Sequence, residues 1–418
     1  MFDVAFCGSV RSAYKMQVYE SQQKAHPHES SKFHLPHSKK RVWRDKPLEC
    51  LEALLGGQRP SGTPVWDFEY YNEPGTGLGP TRQFYSSVGE ALRSTKLNLW
   101  LKSEDDTAEK FNSRYGLYPK LWDATTHATE VAGQAGKFRT IGRLIGRAIL
   151  DGHTVSLSFS TPLLKLLRGD VCGVNDIESI AKEVGDVLSA ISDARRTNQN
   201  EVLLSNSKKA CRVEDLGLTF CVPGEGSIEL TEGGSEKDVT FDNCMEYCDG
   251  VVTHMLSTNV DQAVKALRRG IDDYVPLVSF KMLTVEELHE VINGRETALT
   301  LEDLSANCNA AHGFTLTCKH MVWFFEILAS FSLTDQKAFI LFLTGSPTLP
   351  LGGLESLKPK ITIVRKYASE PNIKEEDQLP SAMTCQNYLK LPAYESKEQM
   401  EQKLRLAMNE GSGAFLLT

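Results

Sequence analysis

The sequence predicts an α+β protein of two or three domains, helical over much of its length and mixed α and β over its last hundred or so residues. Three observations carry this expectation. A chain of 418 residues is too long for one ordinary hydrophobic core. FRTIGRLIGRAIL at 138–150 places Ile141, Leu144, Ile145, Ala148 and Ile149 at i, i+3, i+4, i+7 and i+8, the stripe of an amphipathic helix. Near the carboxy terminus, the β-branched run ITIVRK at 361–366 and the short apolar run Tyr388-Leu389-Lys390-Leu391, stopped by Pro392, read as strands set among helical segments.

Composition narrows the classes. With 41% apolar and 24% charged residues the chain is of soluble globular type. A net charge of -8 and a pI near 5.8 argue against a nucleic-acid surface. No stretch reaches the roughly 18 uninterrupted apolar residues that a membrane span needs. MFDVAFCGSVRSAYK has no basic lead before its apolar residues and is too polar for a signal peptide, so a cytoplasmic or nuclear setting is expected. Ten cysteines (7, 50, 172, 211, 221, 244, 248, 308, 318 and 385) are scattered without a CxxC pair, and disulfides are not expected in a reducing compartment. Cys308, His312, Cys318 and His320 are the densest metal-like cluster, but the spacing C-x3-H-x5-C-x-H does not match a zinc knuckle. No metal and no small cofactor is expected.

Taken in order, residues 1–37 form a polar leader with no sustained period. RVWRDKPLECLEALL at 41–55 is expected as a helix ended by Gly56-Gly57, and VWDFEY at 65–70 alternates as a strand. Residues 73–80 turn the chain. Three glycines in five residues lack the Lys-Ser/Thr ending of a phosphate loop, which favours a strained structural turn before the helix FYSSVGEALR. In the 138–150 helix, Arg139, Arg143 and Arg147 form an i, i+4 row expected to be a solvated face. Gly142 and Gly146 permit close approach of a second helix, at about 1 kcal/mol each in propensity.

From 174 to 275 a helix, IESIAKEVGDVLSAI, precedes a polar insert at 194–209. The strand-like LGLTFCV and SIELTEG follow, joined by Pro223-Gly224-Glu225-Gly226, and then two amphipathic segments, FDNCMEYCDGVVTHML and VDQAVKALRRGIDDYV. At 284–304, Asn293-Gly294 stops one acidic-start helix and Thr300 caps the next. VWFFEILASF reads as a buried helix, DQKAFILFLTG as a helix running into an apolar strand end, and 367–378 as an exposed loop. Ser396 with Gln399 makes a capping box for the last helix, which Gly411 closes.

The chemistry centres on LPSAMTCQNYLKLPAY at 379–394. Cys385 stands alone between two proline-marked segments, on a loop leading into a strand. Unpaired cysteines are mostly small buried hydrophobes, so spacing alone leaves both readings open. TGSPTLPLGGLESL at 344–357, ITIVRK, LPSAMTCQNYLKLPAY and the terminal AFLLT together resemble the carboxy-terminal lobe of HECT-type ubiquitin ligases. GTGLGPTRQFY at 75–85 resembles the ubiquitin-fusion-degradation branch of that family, which includes the thyroid-receptor-interacting ligases. The resemblance covers roughly residues 38–418, and the chain reads as a short family member or a piece of a longer protein.

This resemblance implies a bilobal fold: a mostly helical N-lobe over 38–293, a hinge at 294–299 and a mixed α/β C-lobe over 300–418. Within the N-lobe, a sublobe at about 174–275 docks a ubiquitin-conjugating enzyme. Leu216, Leu218, Tyr247 and Val251 match positions of its apolar groove, and are equally readable as core. Cys385 is the residue implied to accept ubiquitin as a thioester before transfer to a lysine of a protein substrate. Phe415, fourth from the end, is implied to support delivery. Most of the family has His and Phe where Met383 and Gln386 stand, which leaves thiol activation unassigned. Thr384 is a candidate donor to the sulfur, a solvent-facing hydroxyl being the other reading. Partners are thus a conjugating enzyme, ubiquitin and a protein substrate, with no nucleic acid and no membrane. A non-catalytic scaffold and a thiol hydrolase are the alternatives.

Overall fold

The computed structural model describes residues 37–57, 64–73, 75–103, 105–122, 128–205, 207, 209–223, 228–296, 298–368 and 374–411. In chain order these form β1 (His37–Val42), α1 (Pro47–Leu51) with a π turn at Glu52–Gly56, β2 (Val65–Tyr70), α2 (Leu78–Leu92), α3 (Ala128–Asp151), α4 (Thr161–Arg168), α5 (Val174–Ile177) and α6 (Lys182–Thr197). Then come α7 (Cys244–Thr253), α8 (Asp261–Asp272), α9 (Val285–Asn293), α10 (Leu301–Asn307), β3 (Cys308–Ala311), α11 (Lys319–Ser330), α12 (Leu333–Thr344), β4 (Ile361–Lys366), β5 (Ser381–Met383), β6 (Tyr388–Pro392) and α13 (Lys397–Gly411). The expected α+β class is what the chain adopts.

By internal packing the chain divides into two compact units. One comprises the described residues of 1–91, 147–156 and 290–418, the other those of 92–146 and 157–289.

In the first unit, β1 and β2 pair in parallel, His37 opposite Val65 through Val42 opposite Tyr70. The helix expected over 41–55 is therefore shorter, because Arg41 and Val42 are held in this pairing and Pro47 sets the helix start. Trp66, Phe68 and Tyr70 alternate inward, and Phe68 stacks on Phe84 of α2 at 4.0 Å between ring centres. Helix α2 begins at Leu78, inside the glycine turn, where Pro80 lies in the first turn and its missing N–H costs nothing. The end of α3 adds a buried ion pair between Arg147 and Asp151, each side chain 1% exposed, and Arg147 also donates to Pro64 O.

The carboxy-terminal part of this unit is a four-stranded sheet in the order β3-β4-β6-β5, parallel except for the β5–β6 hairpin. Its core is built from Phe324, Leu328, Phe339, Ile363, Leu389, Leu391 and Leu404. Thr300 caps α10 as expected, its hydroxyl accepting from Asp303 N. The strand end expected after α12 does not form; the helix runs unbroken to Thr344, and Gly345 at φ +82 terminates it. For α13, Ser396 Oγ accepts from Gln399 N at 3.1 Å, and Gln399 Oε1 returns to Glu395 N, one residue before the expected partner.

In the second unit the expected close helix crossing is present. A Cβ placed on Gly142 would lie 2.2 Å from Leu267 O and 3.0 Å from Gly270 Cα, so α3 and α8 touch backbone to backbone. The arginine row is not a solvated face: Arg143 is 5% exposed and pairs with Asp273 at 2.7 Å, while Arg147 is internal to the first unit. Trp100, Phe138 and Phe159 cluster beside these helices. LGLTFCV and SIELTEG form no ladder among the described residues. They are joined to each other across the Cys221–Glu229 bridge by Leu230 N donating to Phe220 O at 2.8 Å and Val222 N to Ile228 O at 2.9 Å, and to 237–239 across the Thr219–Asp238 bridge by Phe220 N donating to Lys237 O and Val239 N to Leu218 O.

Candidate active site

The β5–β6 hairpin displays Cys385. Ser381, Ala382 and Met383 pair with Lys390, Leu389 and Tyr388, and β6 is fixed from the other side by β4 and from below by the fully buried Leu389 and Leu391. Residues 384–387 make the turn, closed by Gln386 N–H donating to Met383 O at 3.1 Å. Asn387 completes it in the left-handed region at φ +50, which asparagine tolerates because its short side chain bonds locally.

Asn387 is wholly buried, and its carbonyl and both side-chain polar atoms are bonded. Its carbonyl accepts from Thr362 N at 3.0 Å, its Nδ2 donates to Pro359 O at 2.6 Å, and its Oδ1 accepts from Arg82 Nη1 at 2.8 Å. Cys385 is half-buried at the tip, with Thr384 8% exposed before it and Gln386 exposed after it.

The turn rests on the glycine segment before α2. A Cβ at Gly77 would sit 3.8 Å from Cys385 Cβ, and one at Gly79 would sit 2.1 Å from Thr384 Oγ1 and 3.2 Å from Cys385 N. At Gly79 only a residue without a side chain allows this approach, while at Gly77 the space would admit a Cβ and it is φ +91 that calls for glycine. Thr81 holds the segment, its Oγ1 donating to Gly77 O at 3.0 Å and accepting from Phe68 N at 3.0 Å. Gly345 presses from α12, where a Cβ would lie 3.0 Å from Gly79 O. Two stretches that the sequence marks separately, GTGLGPTRQFY and MTCQNYLKLP, thus meet at the thiol. Sequence reasoning treated the first as a structural turn and missed Gly79, Arg82 and Asn387; the recurrence of glycines, which mark close backbone approach, was the available signal.

The other described cysteines divide by burial. Burial pushes the thiols of Cys308 and Cys248 up to about 12, and burial together with the Asp176 carboxylate pushes Cys172 up to about 11. Cys244 is raised as well, again chiefly by burial. Such thiols are poor nucleophiles near neutrality. Among the described residues no group of three or more His, Cys, Asp or Glu side chains is gathered to hold a metal ion.

Of the groove candidates, Tyr247 and Val251 are 1% and 0% exposed, with Tyr247 edge-on to Phe220. These two are core, because helix α7 turns that face inward, and neither offers surface to a partner. Leu216 and Leu218 are half-buried, at and just beyond a short 3-10 turn, Glu214–Leu216. Phe415 lies outside the described residues. In the segment expected as the hinge, Gly294 takes φ +88, Arg295 N donates to Leu349 O at 2.8 Å, and Thr348 Oγ1 donates to Asn293 O at 2.7 Å.

A family model described as HECT-domain (ubiquitin-transferase) matches residues 86–418. The chain belongs to the HECT-domain family. It is 35% identical over 413 residues to the E3 ubiquitin-protein ligase TRIP12 of Danio rerio, covering 92% of this chain and 20% of that protein. It is 33% identical over 368 residues to Ubiquitin fusion degradation protein 4 of Saccharomyces cerevisiae, covering 86% of this chain and 24% of that one, and 32% identical to E3 ubiquitin-protein ligase UPL3 of Arabidopsis thaliana. These relatives bear out the branch that GTGLGPTRQFY indicates. The chain spans between a fifth and a quarter of the length of these relatives. Within this HECT domain, no helix among the described residues is long and apolar enough to cross a membrane.

Proposed function

We propose that this HECT domain is an E3 ubiquitin ligase that takes ubiquitin from a charged conjugating enzyme onto Cys385 and passes it to a lysine of a protein substrate. The placement of Cys385, half-exposed at the tip of a rigid hairpin inside the matched HECT region, carries the reading. In the first step the Cys385 sulfur, as thiolate, adds to the glycyl thioester carbonyl and the C–S bond to the conjugating enzyme breaks, releasing that enzyme's thiolate. In the second, a neutral lysine amine adds to the new thioester, an amide forms, Cys385 leaves as thiolate, and the amine's proton passes to solvent. Sulfur suits both steps, being a strong nucleophile and a competent leaving group.

Met383 and Gln386 beside the thiol carry no ionisable group, so the rate rests on holding two partners in register, which by itself removes much of a bimolecular barrier. Thr384, whose hydroxyl lies over Gly79, seats the turn. The partners in this reading are a ubiquitin-conjugating enzyme, ubiquitin and the substrate protein. Leu216 and Leu218 belong to the conjugating-enzyme surface, residues 294–299 to the hinge between an N-lobe at 38–293 and a C-lobe at 300–418, and Phe415 to delivery of ubiquitin. A reducing compartment, cytoplasm or nucleus, fits the nine described cysteines, all free.

Single-turnover transfer from a ubiquitin-charged conjugating enzyme, resolved on reducing and non-reducing gels, tests this. Wild type forms a thiol-sensitive ubiquitin adduct and Cys385→Ala does not. An adduct that persists in the variant assigns the chemistry to another cysteine, and no adduct with a broad panel of charged enzymes leaves a binding scaffold.

A further inference from the structure

Arg82 is placed oddly for a surface arginine. It sits half-buried in α2, and its guanidinium donates to an amide oxygen, Asn387 Oδ1, at 2.8 Å. Burial alone shifts its pKa, holding it below the usual arginine value, with no carboxylate among the described residues acting against that shift. Removing a guanidinium from water without an anion is unfavourable, and what it receives in return is a hold on the one residue that locks the thiol turn. Asn387 has no slack: its left-handed backbone, its carbonyl and both side-chain polar atoms are committed. A pull on Asn387 Oδ1 is therefore transmitted to Cys385 two residues before it. Gly77 and Gly79 supply the matching seat on the same segment.

We propose that Arg82 is a positioning residue: through Asn387 it latches the thiol turn onto the Gly77–Gly79 seat, and the latch sets how far the Cys385 sulfur is open to an incoming group. Latched, the tip is half-buried against glycine backbone. Released, it keeps its hairpin but loses its cover. The consequence for ubiquitin transfer rests on the reading of Cys385 above; the latch itself does not.

The test is the rate of Cys385 alkylation by iodoacetamide between pH 6 and 10, followed by peptide mass spectrometry, with Cys50 of the same unit as reference thiol. Arg82→Met removes the latch while keeping an apolar stem, and Arg82→Lys keeps one charged donor. Arg82→Met is expected to raise the high-pH plateau rate at Cys385 about tenfold, the worth of one hydrogen bond from a charged donor at the low end of its range. Its midpoint pH stays at the wild-type value, Cys50 is unaffected, and Arg82→Lys falls between. A wild-type plateau in Arg82→Met overturns the latch. So does a moved midpoint at constant plateau, which would make Arg82 an electrostatic partner of the sulfur, and so does an equal rise at Cys50, which would signify general loosening. Should the methionine variant not fold, an Arg82→Lys rate equal to wild type or a rise shared with Cys50 counts against the latch, and a rise confined to Cys385 supports it. Alkylation needs no ubiquitin, so a failure of charging with an intact latch response would remove only the ligase reading.

Discussion

Gly142→Ala puts one methyl group where two helices already touch. The added carbon would meet Leu267 O at 2.2 Å, about 1.2 Å inside ordinary contact, and this oxygen is main chain, unable to swing aside. The crossing is tight in both directions, since a Cβ on Gly270 would meet Arg139 O at 2.2 Å and Arg143 N at 2.8 Å. Helix α8 must withdraw, and the Arg143–Asp273 pair that spans the crossing is stretched with it. Overpacking of this kind costs about 1–3 kcal/mol, the upper end applying where backbone has to move. Alanine returns about 1 kcal/mol in helix propensity, which leaves a net loss of about 2 kcal/mol. Gly136, six residues earlier on α3, is the internal control. It is exposed, nothing among the described residues lies within 4 Å of its would-be Cβ, and Gly136→Ala should gain about 0.5–1 kcal/mol. Urea titrations followed by tryptophan fluorescence and far-ultraviolet circular dichroism compare the two, both probes being needed because a chain with two units need not unfold in one step. Equal midpoints for the two variants would refute the close crossing.

Three further outcomes follow from single contacts. Gln336, 3% exposed, stitches Leu299 N–H, Leu299 O and Leu328 O together; Gln336→Leu strands all three groups and should cost about 3 kcal/mol in thermal or urea unfolding. Thr300→Ala removes the α10 cap at about 1 kcal/mol, read by the same melts. Glu214 is pushed down to about 2 by the Asn200 amide and then by the Phe241 N–H. A lowered carboxylate pKa contributes stability above its ordinary value of 4.5 and loses it as pH falls toward 2, so wild type should melt above Glu214→Gln at pH 6 and together with it at pH 2.

What could be read from the sequence was whatever had a local cause. The alternation of Trp66, Phe68 and Tyr70, the stripe along α3, the cap at Thr300 and the stop at Gly294 each follow from residues a few positions apart. The arginine row misled because Arg143 is buried by Asp273, 130 residues on, a partner that no spacing reveals. The partner of Arg147, Asp151, stands at i+4 and was within reach. DQKAFILFLTG is apolar nearly all round, so period could not separate buried helix from strand; the glycine at 345 decides it. LGLTFCV alternates like a strand and is bonded on both sides, to 228–230 and to 237–239, but each pairing ends after one bridge. At the site, the loop bearing Cys385 and the strand β6 after it were legible from the flanking prolines and the apolar run, but the strand β5 that makes them a hairpin was not, and the seat beneath joins segments some 300 residues apart, a contact that no sequence interval encodes.

The pairing of Arg82 with Asn387 also sets a schedule for synthesis. The two residues are 305 positions apart, and at about 5–20 residues per second the ribosome needs roughly 15 to 60 s to supply the second after the first. During that interval all described residues of the second unit, which end at His289, have been made, while the glycine turn still waits for its occupant. The hairpin that bears the thiol emerges after every described residue of the second unit, and the sheet it completes cannot close until β6 arrives to join β4 and β5. The glycine seat thus stays unfilled throughout that interval, and a chain truncated before residue 384 would leave it open.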